Sequence, residues 1–231
     1  MDAPALDAHW LADARGTDLF ARFTDQEIVL VTRCLGTRTR TFAAGEVLVR
    51  AGDPLTEVGV VLDGQVQVTA AAVTGSRLLL GRLGAGDVFG VDLLADDRSR
   101  TARTVTAATD GRALLVAMGR IVHADGPLCT LRSGVVENLM RIALRQNRHL
   151  ERQLDIVSLR SLRRRICRFL AWQQETHRSA RFTVDYSRAE LADFLNVDRS
   201  ALSRELSRMR EERLIDFHRN SFDVRADLDA A

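Results

Sequence analysis

The spacing of hydrophobic positions changes character along the chain. From Thr37 to about Val116, short β-prone runs occur at Glu46–Arg50, Val58–Leu62, Gln65–Thr69, Arg77–Arg82, Asp87–Phe89, Thr101–Ala107 and Ala113–Val116. Turn-forming residues separate them, including Gly52-Asp53-Pro54, Asp63-Gly64, Thr74-Gly75-Ser76, Gly84-Ala85-Gly86 and Asp110-Gly111. Strands at roughly 8–12-residue spacing predict a small β-barrel or sandwich. Asp63-Gly64 predicts a two-residue hairpin between its flanking runs.

From Leu128 to Val157 the period lengthens. Leu128, Leu131, Val135, Leu139, Ile142, Gln146, Leu150, Leu154 and Val157 recur at spacings of three and four. That predicts one long helix of about four heptads. An apolar stripe of this kind packs either on the chain's own barrel or on a second copy. The length favours a second copy, which makes Val135, Leu139, Ile142, Gln146, Leu150 and Leu154 the expected dimer seam, with Gln146 setting its register.

Shorter helices flank these regions. Residues 1–35 read as helical, and Thr24 with Glu27 forms a capping-box pattern ahead of a helix near 25–34. After the long helix come a helix from Leu159 to Trp172 and a strand at Arg181–Val184. Next is SRAELADFLNVDRSALSRELSRM, residues 187–209. Ser187 and Glu190 form a second capping-box pattern, and Leu191 and Leu195 share one face. Asn196 suits a left-handed turn, and Asp198 suits the cap of a further helix. That helix turns Leu202, Leu206 and Met209 inward and presents Arg199, Ser200, Ser203, Arg204, Ser207 and Arg208 outward. The pattern fits a helix-turn-helix, although an amphipathic hairpin with a solvated face would also satisfy it. Leu214–Phe217, a His218–Ser221 turn and Phe222–Val224 then predict a β-hairpin, the wing of a winged motif.

Charge sharpens the picture. The 231 residues are 46% hydrophobic and 28% charged, as in an ordinary globular protein. All 33 basic residues are arginine. Residues 1–157 carry a net charge of −1 and residues 158–219 a net charge of +5. A basic back half points to a polyanion as partner. No apolar run reaches the roughly 18 residues of a membrane span. The opening MDAPALDAHWLADARG lacks the pattern of a secretory signal, so the cytoplasm is the expected location. Cys34, Cys129 and Cys167 are scattered, without metal-ligand spacing.

The order of these parts resembles the Crp–Fnr superfamily of bacterial transcription regulators. The resemblance rests on FAAGEVLVRAGDP (42–54), VVLDGQVQV (60–68), LGAGDVFG (83–90), RTA (100–102) and Ser187–Ile215. It implies an α+β chain with a cyclic-nucleotide-binding-like β-roll over 1–126, a dimerisation helix over 127–158 and a winged helix-turn-helix over 159–231. It further implies a homodimer on an inverted repeat of double-stranded DNA, in contact with RNA polymerase. By position, Arg204 matches the arginine that reads guanine and Arg199 a second contact. Ser187, Arg188, Ser203 and Arg208 complete the expected DNA face. Ser200 departs from the pattern, because several members carry there a glutamate able to accept from cytosine.

The sensor half departs further. The resemblance implies effector contacts at Phe89, Gly90, Asp92, Arg100 and Thr101. Val91 stands where cyclic-nucleotide-binding members carry the ribose-binding glutamate, which argues against cyclic AMP. Arg100 either holds an anion or pairs with Asp96 or Asp97. Three dispersed cysteines cannot supply the four thiolates of an iron–sulfur cluster. Haem is another option, with His9, Cys34, His123 and His149 as candidate ligands that no spacing singles out. The effector is therefore open between a small molecule, a gas or redox signal, and a closed pocket with no effector at all. An enzyme is the least supported reading, because the barrel shows no HxH, HExxH, GxSxG or paired-carboxylate pattern.

Overall fold

The computed structural model describes residues 10–54, 56–71, 77–91, 100–122, 131–226 and 228. Asp92, Asp96, Asp97, Cys129, His9, His123, Leu128 and the Thr74-Gly75-Ser76 turn lie outside them. Backbone contacts divide the chain into two compact units, one of residues 1–74 and 80–147 and one of 75–79 and 148–231.

In the first unit, α1 (Trp10–Arg15) and α2 (Asp25–Leu35) precede the strands. The expected capping box is present: Glu27 N donates to Thr24 Oγ1 at 3.4 Å, and Thr24 N donates to Glu27 Oε2 at 2.7 Å. Eight strands follow: β1 (Arg38–Phe42), β2 (Val47–Val49), β3 (Glu57–Asp63), β4 (Val66–Ala71), β5 (Arg77–Leu83), β6 (Val88–Phe89), β7 (Arg103–Ala107) and β8 (Gly111–Ala117). They form two four-stranded sheets, ordered β1-β8-β3-β6 and β2-β7-β4-β5.

Period-two alternation explains the apolar runs of β3 and β8, which are buried on both faces. Val58, Val60 and Leu62, with Leu114 and Val116, join Ile28, Val31 and Leu35 of α2 in one core cluster. Val61, Ala113 and Leu115 turn the other way, into a cluster with Phe42, Val49, Val66, Phe89 and Val105.

Two details differ from the sequence reading. Strand β1, RTRTF, pairs antiparallel with β8 from Arg38↔Leu115 to Phe42↔Gly111, although its polar character gave no strand signal. The Asp63-Gly64 turn is not a hairpin, because β3 and β4 belong to different sheets. Gly64, at φ +81°, turns a corner between sheets, and a Cβ there would lie 2.4 Å from the Asp110 carbonyl.

After α3 (Met118–Val122), the long helix α4 runs over Leu131–Val157. Its inward face differs from the expected seam. Val135, Leu139 and Ile142 are buried in the first unit's own core. Gln146 Nε2 donates to the Val88 carbonyl at 2.6 Å, so its amide serves the chain's own sheet. Leu150 is half-buried, and Leu154 is exposed. The solvent-facing apolar stripe instead comprises Val136, Met140, Leu144 and Leu154, four of the five large hydrophobic side chains exposed among the described residues. No helix among the described residues is long and apolar enough to cross a membrane.

The second unit holds α5 (Leu162–His177), β9 (Arg181–Thr183), α6 (Arg188–Leu195), α7 (Arg199–Glu211), β10 (Ile215–His218) and β11 (Ser221–Val224). Helix α5 starts three residues later than expected and runs on past Trp172 to His177, ending at Arg178 in the left-handed region. The three strands form one antiparallel sheet ordered β10-β11-β9. Phe169, Phe194, Leu202, Leu206 and Met209 make its fully buried centre. Gln153, buried on α4, donates to the carbonyls of Leu79 at 2.6 Å and Phe194 at 3.1 Å, satisfying a polar group that would be costly to bury unpaired.

Candidate functional site

Helices α6 and α7 are set by local chemistry legible in the sequence. Glu190 N donates to Ser187 Oγ at 3.3 Å and Ser187 N to Glu190 Oε2 at 2.6 Å, closing the capping box that starts α6. Asn196 ends α6 at φ 52°, ψ 56°, and Val197 N donates to Ala192 O at 3.0 Å. Asp198 stands at the start of α7, but its carboxylate accepts no capping hydrogen bond. Its backbone carbonyl takes Leu202 N at 3.0 Å, so the Asn196 turn rather than a side-chain cap sets this start.

With Leu202, Leu206 and Met209 fully buried, rotation of α7 about its axis is fixed. Arg199, Ser200, Ser203, Arg204 and Arg208 consequently share the exposed side, with Ser207 half-buried at its edge. Arg208 Nη1, on an exposed side chain, lies 3.6 Å from Oε2 of the largely covered Glu205. The face combines forked donors that match guanine with hydroxyls able to meet bases or phosphates.

Arg188, expected on the DNA face, packs beside the wing. Its guanidinium lies 5.1 Å from the Phe217 ring centroid and 5.8 Å from that of Phe222, and Nη2 donates to Arg219 O at 2.8 Å. Burial, with a smaller contribution from the nearby Arg199 charge, lowers its pKa from the usual arginine value. Arg210 approaches the same Phe217 ring at 5.0 Å. Phe217 is thus the surface on which two arginines seat the wing. Ser187 also serves the fold first, as a cap.

Sequence reasoning also missed Arg163. From α5 it donates to Glu205 on α7 at 2.6 Å and to both carboxylate oxygens of Glu212 at 2.6 and 2.7 Å. The signal available in the sequence was the arginine run 163–165 opposite the acids after Arg204, but nothing there told which arginine faces which helix.

In the first unit, Phe89 is buried and lies against Gly59, where a Cβ would come within 1.9 Å of the ring. Gly90 takes φ +82°, and Val91 is packed in the helix-side core. Arg100 Nη1 donates to Gly52 O at 2.7 Å, and Gly52 N donates to Thr101 O at 2.7 Å. The structure thus brings Arg100 and Thr101 to the 52–54 loop. A cavity of about 150 Å³ lies between the sheets, lined by Phe42, Leu48, Val49, Phe89 and Leu115, with Arg40, Asp53 and Glu57 among its polar residues.

Of the haem candidates, Cys34 and His149 are among the described residues. Cys34 is an exposed residue of the first unit. His149, in the second, packs its ring edge-on against Trp172 and Phe194 at 5.2 and 6.2 Å.

Residues 39–122 match the family model described as a cyclic nucleotide-binding domain, and residues 164–227 match the Crp-like helix-turn-helix domain. Solved structures share the fold. FixK2 from Bradyrhizobium japonicum aligns at 19% identity over 84% of this chain and 96% of its own, with a TM-score of 0.63. The c-di-GMP responsive global regulator CLP of Xanthomonas campestris aligns at 16% identity over 88% and 100%, with a TM-score of 0.73. A CooA mutant from Carboxydothermus hydrogenoformans aligns at 15% identity over 90% of both chains, with a TM-score of 0.66. No curated protein matches the chain.

Proposed function

From its place in the Crp–Fnr family of transcription regulators, to which this chain belongs, we propose that it binds an inverted repeat of double-stranded DNA as a homodimer. The observation that carries the proposal is the α7 face, whose arginines and serines stand exposed over a fully buried Leu202–Leu206–Met209 back. Arg204 and Arg199 read bases, Arg204 on guanine, and Ser200 contributes a hydroxyl of lower selectivity. Ser203 and Arg208 reach backbone phosphates.

The partner across α4 is a second copy of the chain. Val136, Met140, Leu144 and Leu154 supply the contact, in place of the residues that the chain buries itself. The protein works in the cytoplasm beside RNA polymerase, as a regulator and not as a catalyst. Residues 1–126 form the sensor, 127–158 the dimer helix and 159–231 the DNA reader.

The β-roll senses a small signal other than cyclic AMP, in the region of Phe89, Gly90, Arg100 and Thr101. Val91 supports this, because an apolar residue buried in the core cannot receive a ribose. The same burial favours a second reading, in which the roll is closed and the protein is controlled by its abundance. An absorption spectrum and native mass spectrum separate the two: a retained ligand or haem supports sensing, and an empty roll supports the closed form.

Selection of sites from a random DNA pool, followed by footprinting, tests the main proposal. The expected result is an inverted repeat with half-sites about one helical turn apart. Salt-sensitive binding without sequence preference would overturn it.

A further inference from the structure

The last turns of α4 belong to the second unit and carry a titratable ring set among aromatic ones. His149 meets Trp172 of α5 at a centroid distance of 5.2 Å and an angle of 65°, and Phe194 of α6 at 6.2 Å and 67°. Trp172 and Phe194 stack at 6.1 Å, and Phe169 packs on both, at 6.2 and 5.5 Å. Phe169 and Phe194 are fully buried, and the Nε2 atom of His149 is covered. His149 therefore joins α4 to α5 and to α6, the first helix of the helix-turn-helix.

Two further contacts fix the same place. Gln153, one turn after His149, donates to the Phe194 carbonyl at 3.1 Å. Asn196, two residues past Phe194, sets the turn into α7. The position of α7 consequently depends on how α6 rests against the end of α4.

Charge decides which form of the imidazole this place accepts. Arg152, three residues after His149 on the same helix, lies 5.9 Å from the Trp172 ring centroid. The other charged residues beside these contacts are Arg148 and Glu151 on α4, Arg168 and Glu175 on α5, and Asp193 on α6. Asp193 pairs with Arg77 at 2.8 Å, and the others are exposed. An imidazolium here gives up water for aromatic rings, one of which already faces a guanidinium. Ring faces return less than hydration supplies, and the two cations repel. The neutral ring packs. The charged ring regains water by leaving, since the His149 side chain is only half-buried.

We propose that His149 is a proton switch on the DNA reader: its neutral form holds α6 in place, and its protonation releases α6 and with it α7. The inference rests on the DNA-binding reading above. Histidine suits the task, because an imidazole titrates at about pH 6.5, close to neutrality.

The test uses the full-length protein and its selected inverted-repeat duplex, with affinity measured at constant ionic strength from about pH 8 to about pH 5.5. Each chain is compared with itself at the upper pH, so that other titrating groups cancel between wild type and variant. The wild type is expected to lose roughly three- to tenfold more affinity over this range than His149→Phe, which keeps a ring and cannot take a proton. Parallel pH curves for the two chains overturn the proposal. Loss of helical circular dichroism in step with affinity marks acid unfolding and overturns it as well. The emission of Trp172, read in a Trp10→Phe background, reports on the aromatic contact without reference to DNA. It should change through a midpoint that tracks the loss of affinity, and should stay flat when His149→Phe is added. Flat emission with His149 present also overturns the proposal. Wild-type protein that selects no sequence refutes the DNA-reading assignment, while Trp172 emission still shows whether His149 leaves the rings on protonation.

Discussion

Arg163 on α5 holds α7 through Glu205, with Nε to Oε1 at 2.6 Å, one position after the exposed Arg204. The same guanidinium forks onto Glu212 just past the helix end. One side chain thereby fixes α7 at two levels and neutralises two carboxylates beside a surface that must attract a polyanion.

Arg163→Ala should therefore weaken specific DNA binding by roughly three- to tenfold and lower the melting temperature. Arg163→Lys should recover only part of both, because an ammonium cannot fork. The Arg163 hydrogen bonds hold the Glu212 carboxyl below its usual pKa. A depressed carboxylate contributes stability above its unfolded pKa and loses it as pH falls through the folded value. The wild-type advantage over Arg163→Ala should accordingly shrink in acid, as thermal melts at stepped pH would show.

Arg204→Ala should cost about 1–3 kcal/mol of binding and relax the preference for guanine at one position of each half-site. Ser200→Glu should add a preference for cytosine, since a carboxylate accepts from its amino group. Site selection with each variant checks both.

The two sides of α4 should respond differently to substitution. Leu139→Ala, in the first unit's core, should lower stability by about 2–5 kcal/mol in urea denaturation. Met140→Glu, one position on, should leave the chain folded and convert dimer to monomer in sedimentation equilibrium.

Asp87 accepts from Gly84 N at 2.9 Å, yet burial, and next the charge of Asp18, push its pKa above the usual carboxylate value. Its ionised form is therefore less favourable in the folded chain. The resulting penalty is absent below the unfolded pKa and complete once the pH exceeds the folded one. Asp87→Asn, which keeps a carbonyl acceptor for Gly84, should raise the urea midpoint at neutral pH. That gain should vanish as the solution is acidified.

Much of the molecule was legible from residue order alone. Both capping boxes, the left-handed Asn196, the inward Leu202–Leu206–Met209 face and the wing hairpin depend on contacts within a few residues, so local patterns report them directly. The alternating glycine turns likewise placed seven of the eight strands in the roll. Tertiary structure decided whatever depends on partners distant in sequence. Asp63-Gly64 could serve a hairpin or a corner, and only the pairing of β3 with β8 and of β4 with β7 selects the corner. Helix α4 carries two neighbouring apolar stripes, one through Val135, Leu139 and Ile142 and one through Val136, Met140 and Leu144. Periodicity detects the stripes but cannot tell which one the chain's own core takes, because that depends on where α1, α2 and the sheet lie. For the same reason residue type announced Arg188 as a cation for DNA, while the distant Phe217, Phe222 and Arg219 carbonyl drew it to the wing.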